Sequence, residues 1–81
     1  MMSGPLEIYW TLALEENSAR AELWTHPLGY ELRILSDHVF RWGHVYRQRD
    51  GADHDADVAR RRLEEKGWYA ASSAKGPARK Q

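Results

Sequence analysis

Residues 38–49 read HVFRWGHVYRQR. Phe40, Trp42, His44 and Tyr46 take every second position, and Val39, Arg41, Gly43, Val45, Arg47 and Arg49 fill the gaps. Alternate side chains of an extended strand point to opposite faces. The spacing predicts a strand with an aromatic side and an arginine-bearing back. Such a strand is either a core strand with a solvated back or part of a surface that grips a partner.

Upstream, residues 30–35 (YELRIL) alternate in the same way. Tyr30, Leu32 and Ile34 share one side; Glu31, Arg33 and Leu35 share the other. Ser36-Asp37-His38 makes the tight connection into the fourth strand. His26-Pro27-Leu28-Gly29 interrupts pairing before the third, because proline lacks a ladder donor and glycine accepts positive φ. Residues 6–15 (LEIYWTLALE) predict a half-buried first strand, with Leu6, Ile8, Trp10, Leu12 and Leu14 inward. Its other face carries Glu7, Tyr9, Thr11, Ala13 and Glu15. Glu16, Asn17 and Ser18 have turn chemistry, and residues 19–26 (ARAELWTH) form the return strand. There Ala21, Leu23 and Thr25 face inward, while Trp24 goes outward with Arg20, Glu22 and His26.

Downstream, Asp50-Gly51 reads as a turn. Residues 53–66 (DHDADVARRRLEEK) predict the one helix. Its acids lie early and Lys66 lies late, as the helix dipole favours. Gly67 suits the position after the C-cap, with Trp68 next to meet Leu63. Ala56, Val58, Ala59 and Leu63 make a narrow apolar stripe, enough for one side of a sheet. Asp57 with Arg61 and Arg60 with Glu64 stand four apart and should pair along a solvated face.

The predicted fold is therefore α+β: a four-stranded antiparallel β-meander with one C-terminal α-helix packed on one face (ββββα). Residues 1–5 are expected to be a flexible lead, 6–69 a single small domain, and 70–81 a disordered basic tail. The expected core collects Ile8, Trp10, Leu12, Leu23, Leu32, Ile34, Phe40, Trp42 and Tyr46, with Ala59 and Leu63 from the helix. The order of elements is similar to that of Whirly-type single-strand DNA-binding modules. The resemblance lies in element order and in no signature residue. It implies single-stranded nucleic acid as the alternative partner.

Composition narrows the function. With 81 residues the core is thin, and without cysteine neither a disulfide nor a zinc–thiolate site can reinforce it. Four Trp, four Tyr and one Phe compensate. Twelve basic and twelve acidic residues give no overall pull toward nucleic acid or membrane. The halves differ: residues 1–40 hold two basic and six acidic groups, and residues 41–81 hold ten basic and six acidic. No apolar run reaches the roughly 18 residues of a membrane span, and no basic signal-like start is present, so a cytoplasmic protein is expected.

Chemistry finds little purchase. The aspartates of DGADHDAD (50–57) have no closing glutamate at calcium-loop distance and read as helix-start acids. The histidines are scattered, with His44 expected to be partly buried. Serines sit outside any nucleophile elbow, and no phosphate-binding glycine loop occurs. The expectation is a non-enzymatic module without metal, cofactor or small-molecule substrate. One helix cannot cover both sides of the sheet, so the open side is the candidate site. It is expected to hold Tyr9, Thr11, Ala13, Trp24, Arg33, Leu35, Val39, Arg41, Val45, Arg47 and Arg49. Of these, Tyr9, Trp24, Arg33, Arg41, Val45, Arg47 and Arg49 are the expected partner-binding residues, since Trp, Tyr and Arg dominate interface cores. The partner is a second copy or a larger protein, as accessory subunit or inhibitor. Aromatic and arginine side chains on the same face would equally suit single-stranded nucleic acid.

Overall fold

The structure, a computed structural model, describes residues 4–71. Five strands and one helix follow in the order β1 (Glu7–Leu14), β2 (Asn17–His26), β3 (Gly29–Ser36), β4 (Val39–Tyr46), α1 (Arg49–Glu65) and β5 (Tyr69–Ala70). They form one antiparallel sheet in the order β4-β3-β2-β1-β5, with α1 across one face. The α+β meander expected from the alternation is what the chain adopts. The short β5 is an addition: Ala70 and Tyr69 pair with Leu12 and Ala13. Ala70 thus belongs to the sheet rather than to the tail expected from that position. Most of that tail, and the first three residues of the expected lead, lie outside the described residues.

Each hairpin closes in two residues. Asp37 and His38 both have left-handed backbone, φ 52° and 69°, the requirement of the turn whose twist matches the strands it joins. The Asp37 carboxylate also accepts the Ser18 N–H at 2.9 Å, and the Asp37 N–H donates to the Ser18 carbonyl at 2.9 Å. The first turn is Glu15-Glu16, one residue earlier than the turn chemistry of 16–18 predicts, and Asn17 and Ser18 join β2. The second is Pro27-Leu28, after which Gly29 (φ 143°) brings its Cα so close to the Tyr46 carbonyl that a Cβ would sit 2.2 Å from it.

Helix α1 begins at Arg49, four residues before the sequence predicts, so Asp50-Gly51 is its first turn and not a loop. The glycine is there for packing. A Cβ on Gly51 would stand 2.8 Å from the ring of Tyr46, which lies beneath the helix start. The C-terminal end matches expectation. Gly67 (φ 105°) donates to the Glu64 carbonyl at 3.0 Å and Trp68 N–H to the Leu63 carbonyl at 3.1 Å, the paired bonds of a Schellman ending. Ion pairs Asp57–Arg61 (3.1 Å) and Arg60–Glu64 (3.5 Å) form along the helix as their spacing predicts.

The main core cluster is Ala21, Leu23, Leu32, Ala52 and Ala56, with Tyr9, Trp10, Tyr30, Ile34 and Tyr46 packed around it, and Leu12 and Ala19 are buried as well. Small residues at Ala52 and Ala56 let the helix approach the central strands closely. The large aromatics then close the gaps at its sides. Helix polar groups fix them in place: Trp10 Nε1 donates to the Ala56 carbonyl at 2.8 Å, Tyr46 to Asp55 at 2.6 Å, and Tyr9 to Asp53. Thus Asp53 and Asp55, two of the four acids of 50–57, serve as acceptors for the sheet, while Asp57 pairs with Arg60 and Arg61 of the helix.

Two irregularities change which residues share a face. In β1 the pairing passes from Ile8–Glu22 to Trp10–Ala21, leaving Tyr9 as an extra residue. In β4 it passes from Trp42–Ile34 to Phe40–Leu35, leaving Arg41 extra. Each is a β-bulge, and beyond each the in–out alternation reverses. Ile8 and Phe40, expected in the core, therefore lie on the uncovered face and are 43% and 55% exposed. Val39 moves the other way, pairing with Ser36 on the helix side. Trp42 keeps the predicted side but lies beyond the helix and is 46% exposed. His44, expected to be partly buried, is exposed and sits between Trp42 (ring centroids 6.1 Å apart, stacked) and Tyr46 (4.7 Å, edge-on). Of the aromatic stripe in β4, only Tyr46 belongs to the core.

Candidate functional site

The sheet face opposite α1 is built from the central strands outward. On β2 and β3 the alternation is regular, so three cross-strand rungs are well defined: Arg20 opposite Leu35, Glu22 opposite Arg33, and Trp24 opposite Glu31. Glu22 is the anchor. It is only 5% exposed, yet its carboxylate lies 2.8 Å from Arg20 Nε and accepts the Trp24 indole N–H at 2.8 Å. A buried carboxylate is tolerated only when paired in this way. Arg33 reaches Glu31 at 3.0 Å, and its guanidinium lies 4.1 Å from the centre of the Trp24 ring. Stacking on the ring leaves Arg33 both an aromatic and a carboxylate neighbour, a geometry lysine would not reproduce.

Apolar side chains frame this ionic centre. Val45 is opposite Glu31 and Tyr69 opposite Ala13. Phe40 folds back along β4, its ring over Gly43, where a Cβ would meet the ring at 2.9 Å. Ile8 lies beside Glu22. The face is therefore a ladder of two ion pairs inside a broken ring of exposed apolar groups.

The seven expected partner-binding residues divide. Trp24, Arg33 and Val45 come together on the open face. Tyr9 does not: as the bulge residue it turns to the helix side and donates to Asp53. Burial first, and then the hydrogen bond to that carboxylate, raise its pKa above the ordinary tyrosine value. The same two causes act on Tyr46 with Asp55. Arg49 is also elsewhere. It opens α1 and pairs with Glu7 and, at 3.3 Å, with Asp53, so its charge is already used to tie β1 to the helix. Hydrogen bonds to Glu7 and then Asp53 raise its pKa further. Arg41 is the exposed bulge residue of β4, and Arg47 lies just past that strand's end; neither forms an ion pair among the described residues.

The alternation missed Ile8 and Phe40, and it set Glu22 and Glu31 on this face without marking them as site residues. The two acids carry no signal of their own as partners of arginine until strand register is known. Phe40 had one: a glycine inside a strand, here Gly43, marks a bulge or a close approach.

On the helix side an open cleft of about 460 Å³ lies between α1 and the β1–β5 edge. Its ionic lining is Asp53, Asp57, Arg60 and Glu64. These groups satisfy one another or their neighbours, Asp57 meeting Arg60 at 2.5 Å. The bond from Arg60 is the main reason the Asp57 carboxyl is held below its usual range. No group of three or more potential metal ligands occurs among the described residues, and no helix among them is long and apolar enough to cross a membrane.

Fold and face together define a small α+β protein with one sheet surface covered by α1 and one that no element among the described residues covers. Comparison of the chain with protein-family models, with curated proteins and with solved structures found no match.

Proposed function

We propose that this chain is a small non-enzymatic protein-interaction module acting through the open face of its sheet. The observation that carries the reading is the pair of bulges. Each swings a large apolar side chain, Ile8 or Phe40, from the side where the alternation would bury it to the side left uncovered. The β1 bulge also brings Tyr9 and Trp10 together to the helix, but at both bulges a large apolar side chain forgoes burial worth about 1.5–3 kcal/mol. Two such residues held outward, around a Trp–Arg stack, favour a surface meant to be covered.

The same geometry weighs against single-stranded nucleic acid. Arg20 and Arg33 each have a carboxylate within 3.0 Å. A phosphate approaching them meets Glu22 and Glu31 as well.

A photoreactive phenylalanine analogue at Phe40, compared with one at His54 on the helix, tests the reading in the cells that make the protein. The expected result is a discrete protein adduct from Phe40 and none from His54. No adduct from Phe40, or the same adducts from both positions, would sink it. An adduct with nucleic acid would transfer the face to the alternative partner.

A further inference from the structure

We infer that the partner covering the open face is a second copy of this chain, the two sheets stacked face to face about a two-fold axis that runs parallel to the strands between β2 and β3. This rests on the reading of the open face as an interaction surface and adds what occupies it. The charge pattern carries it. On its two central strands the face holds two cations, Arg20 and Arg33, and two anions, Glu22 and Glu31, arranged in the rungs Arg20–Leu35, Glu22–Arg33 and Trp24–Glu31. The proposed axis exchanges the two members of every rung between copies. Glu22 then faces the Arg33 of the second copy, and Arg33 faces its Glu22. Trp24 lies over Glu31, and Arg20 over Leu35. Within these rungs no charge faces its like.

The other in-plane axis, across the strands through the middle rung, would place Glu22 over Glu22 and Arg33 over Arg33. Of these two axes the pattern selects the one along the strands; both keep the strands aligned, as stacked twisted sheets are. The groups are also held before contact. Glu22 is clasped by Arg20 and Trp24, and Arg33 is stacked on the same indole, so little side-chain freedom is lost on association. From strand spacing and rise the face measures roughly 500 Å² on each copy, about 1,000 Å² in all. That is the lower bound for a specific interface and the size of reversible ones. The product is a layered helix–sheet–sheet–helix dimer in which Phe40 and Ile8 leave water.

Sedimentation equilibrium of the full chain over roughly 1 μM to 1 mM spans the range in which such an interface dissociates. A concentration-dependent dimer is expected. Glu22→Arg and Arg33→Glu each set like charges opposite one another in a homodimer and should weaken it by about tenfold or more. Mixed one to one, the two variants restore opposite charges on both central contacts, and dimer should return. Phe40→Glu changes an already exposed side chain, leaves the circular dichroism spectrum as it was, and should abolish dimer, which keeps the test valid if Glu22→Arg fails to fold.

Three results would overturn the inference. One is wild-type monomer throughout the range. Another is a dimer that survives Phe40→Glu, which would move self-association to the free edge of β4. The third is folded charge variants that fail to recombine. Photoadducts from Phe40 separate this failure from that of the interaction reading. An adduct of twice the chain mass supports self-association; an adduct with a different protein overturns the second copy while the open face remains a binding surface.

Discussion

The two faces of the sheet use similar residues to opposite ends. On the helix side, Tyr9, Trp10 and Tyr46 are each fixed by a hydrogen bond to α1, and the space between is closed by aliphatics and by the small residues Ala21, Ala52 and Ala56. On the open side, Trp24 is fixed by Glu22 and by a stacked arginine, and Phe40 lies on a glycine with its outer surface in water. One side is organised to exclude solvent and the other to hold shape while wet. For Trp10, Tyr46 and Trp24 the tether tells the face: an acceptor on the helix holds the first two on the core side, and Glu22 with the stacked Arg33 holds the third on the open side.

The sharpest way to break that contrast is to truncate one residue on each side. Leu23 is wholly buried under the helix, and Leu23→Ala should cost about 2–5 kcal/mol in denaturant unfolding. Phe40→Ala on the open face should change the stability of the isolated monomer by no more than about 0.5 kcal/mol. Equal losses would mean that Phe40 is part of the core and that the bulge at Arg41 is misplaced.

A smaller effect with an unusual sign comes from Gly51. Glycine-to-alanine changes inside helices ordinarily stabilise by up to about 1 kcal/mol. Here the new Cβ would lie 2.8 Å from the Tyr46 ring, which Asp55 holds in position. Gly51→Ala should therefore destabilise by about 1–2 kcal/mol, the overpacking cost less the gain in propensity. A more stable variant would show that the ring is free to move and that its bond to Asp55 is not what organises the helix start.

The mildest prediction separates the tethers by pH. Tyr9 and Tyr46 have folded pKa values raised above the unfolded value near 10, by burial and then by their bonds to Asp53 and Asp55. Above that value the unfolded chain loses these protons first. Their contribution is complete below pH about 10 and is lost progressively as pH rises beyond it. Thermal melts from neutral to strongly alkaline pH should show this loss in the wild type. The loss should be smaller in Tyr46→Phe. An unchanged alkaline slope in that variant would place the titration elsewhere.

The sequence made much of this frame legible. The four principal strands follow from period-two alternation, their meander from three short connections, and the helix end from Gly67 and Trp68. On β2 and β3 the outward set of Arg20, Glu22, Trp24, Glu31, Arg33 and Leu35 was readable directly, because each central strand is paired on both sides and keeps its alternation. The outer strands are different. Tyr9 and Trp10 are neighbours that both serve the helix, one through Asp53 and one through the Ala56 carbonyl. Two successive residues can do so only if the strand bulges between them. Likewise Phe40 reaches the space above Gly43 only because Arg41 is left unpaired.

Local patterning decided which segments are strands and helix, and in what order, since each such choice depends on residues a few positions apart. Which face Ile8, Tyr9, Val39 and Phe40 occupy was settled only by the tertiary structure. So were the early start of α1, the pairing of Ala70, and the transfer of Arg49 from the expected interface to Glu7. The physical reason is that a bulge is not a property of the strand that contains it. It is the register at which that strand satisfies its neighbour's backbone and the helix's acceptors together, and those partners lie up to 46 residues away along the chain.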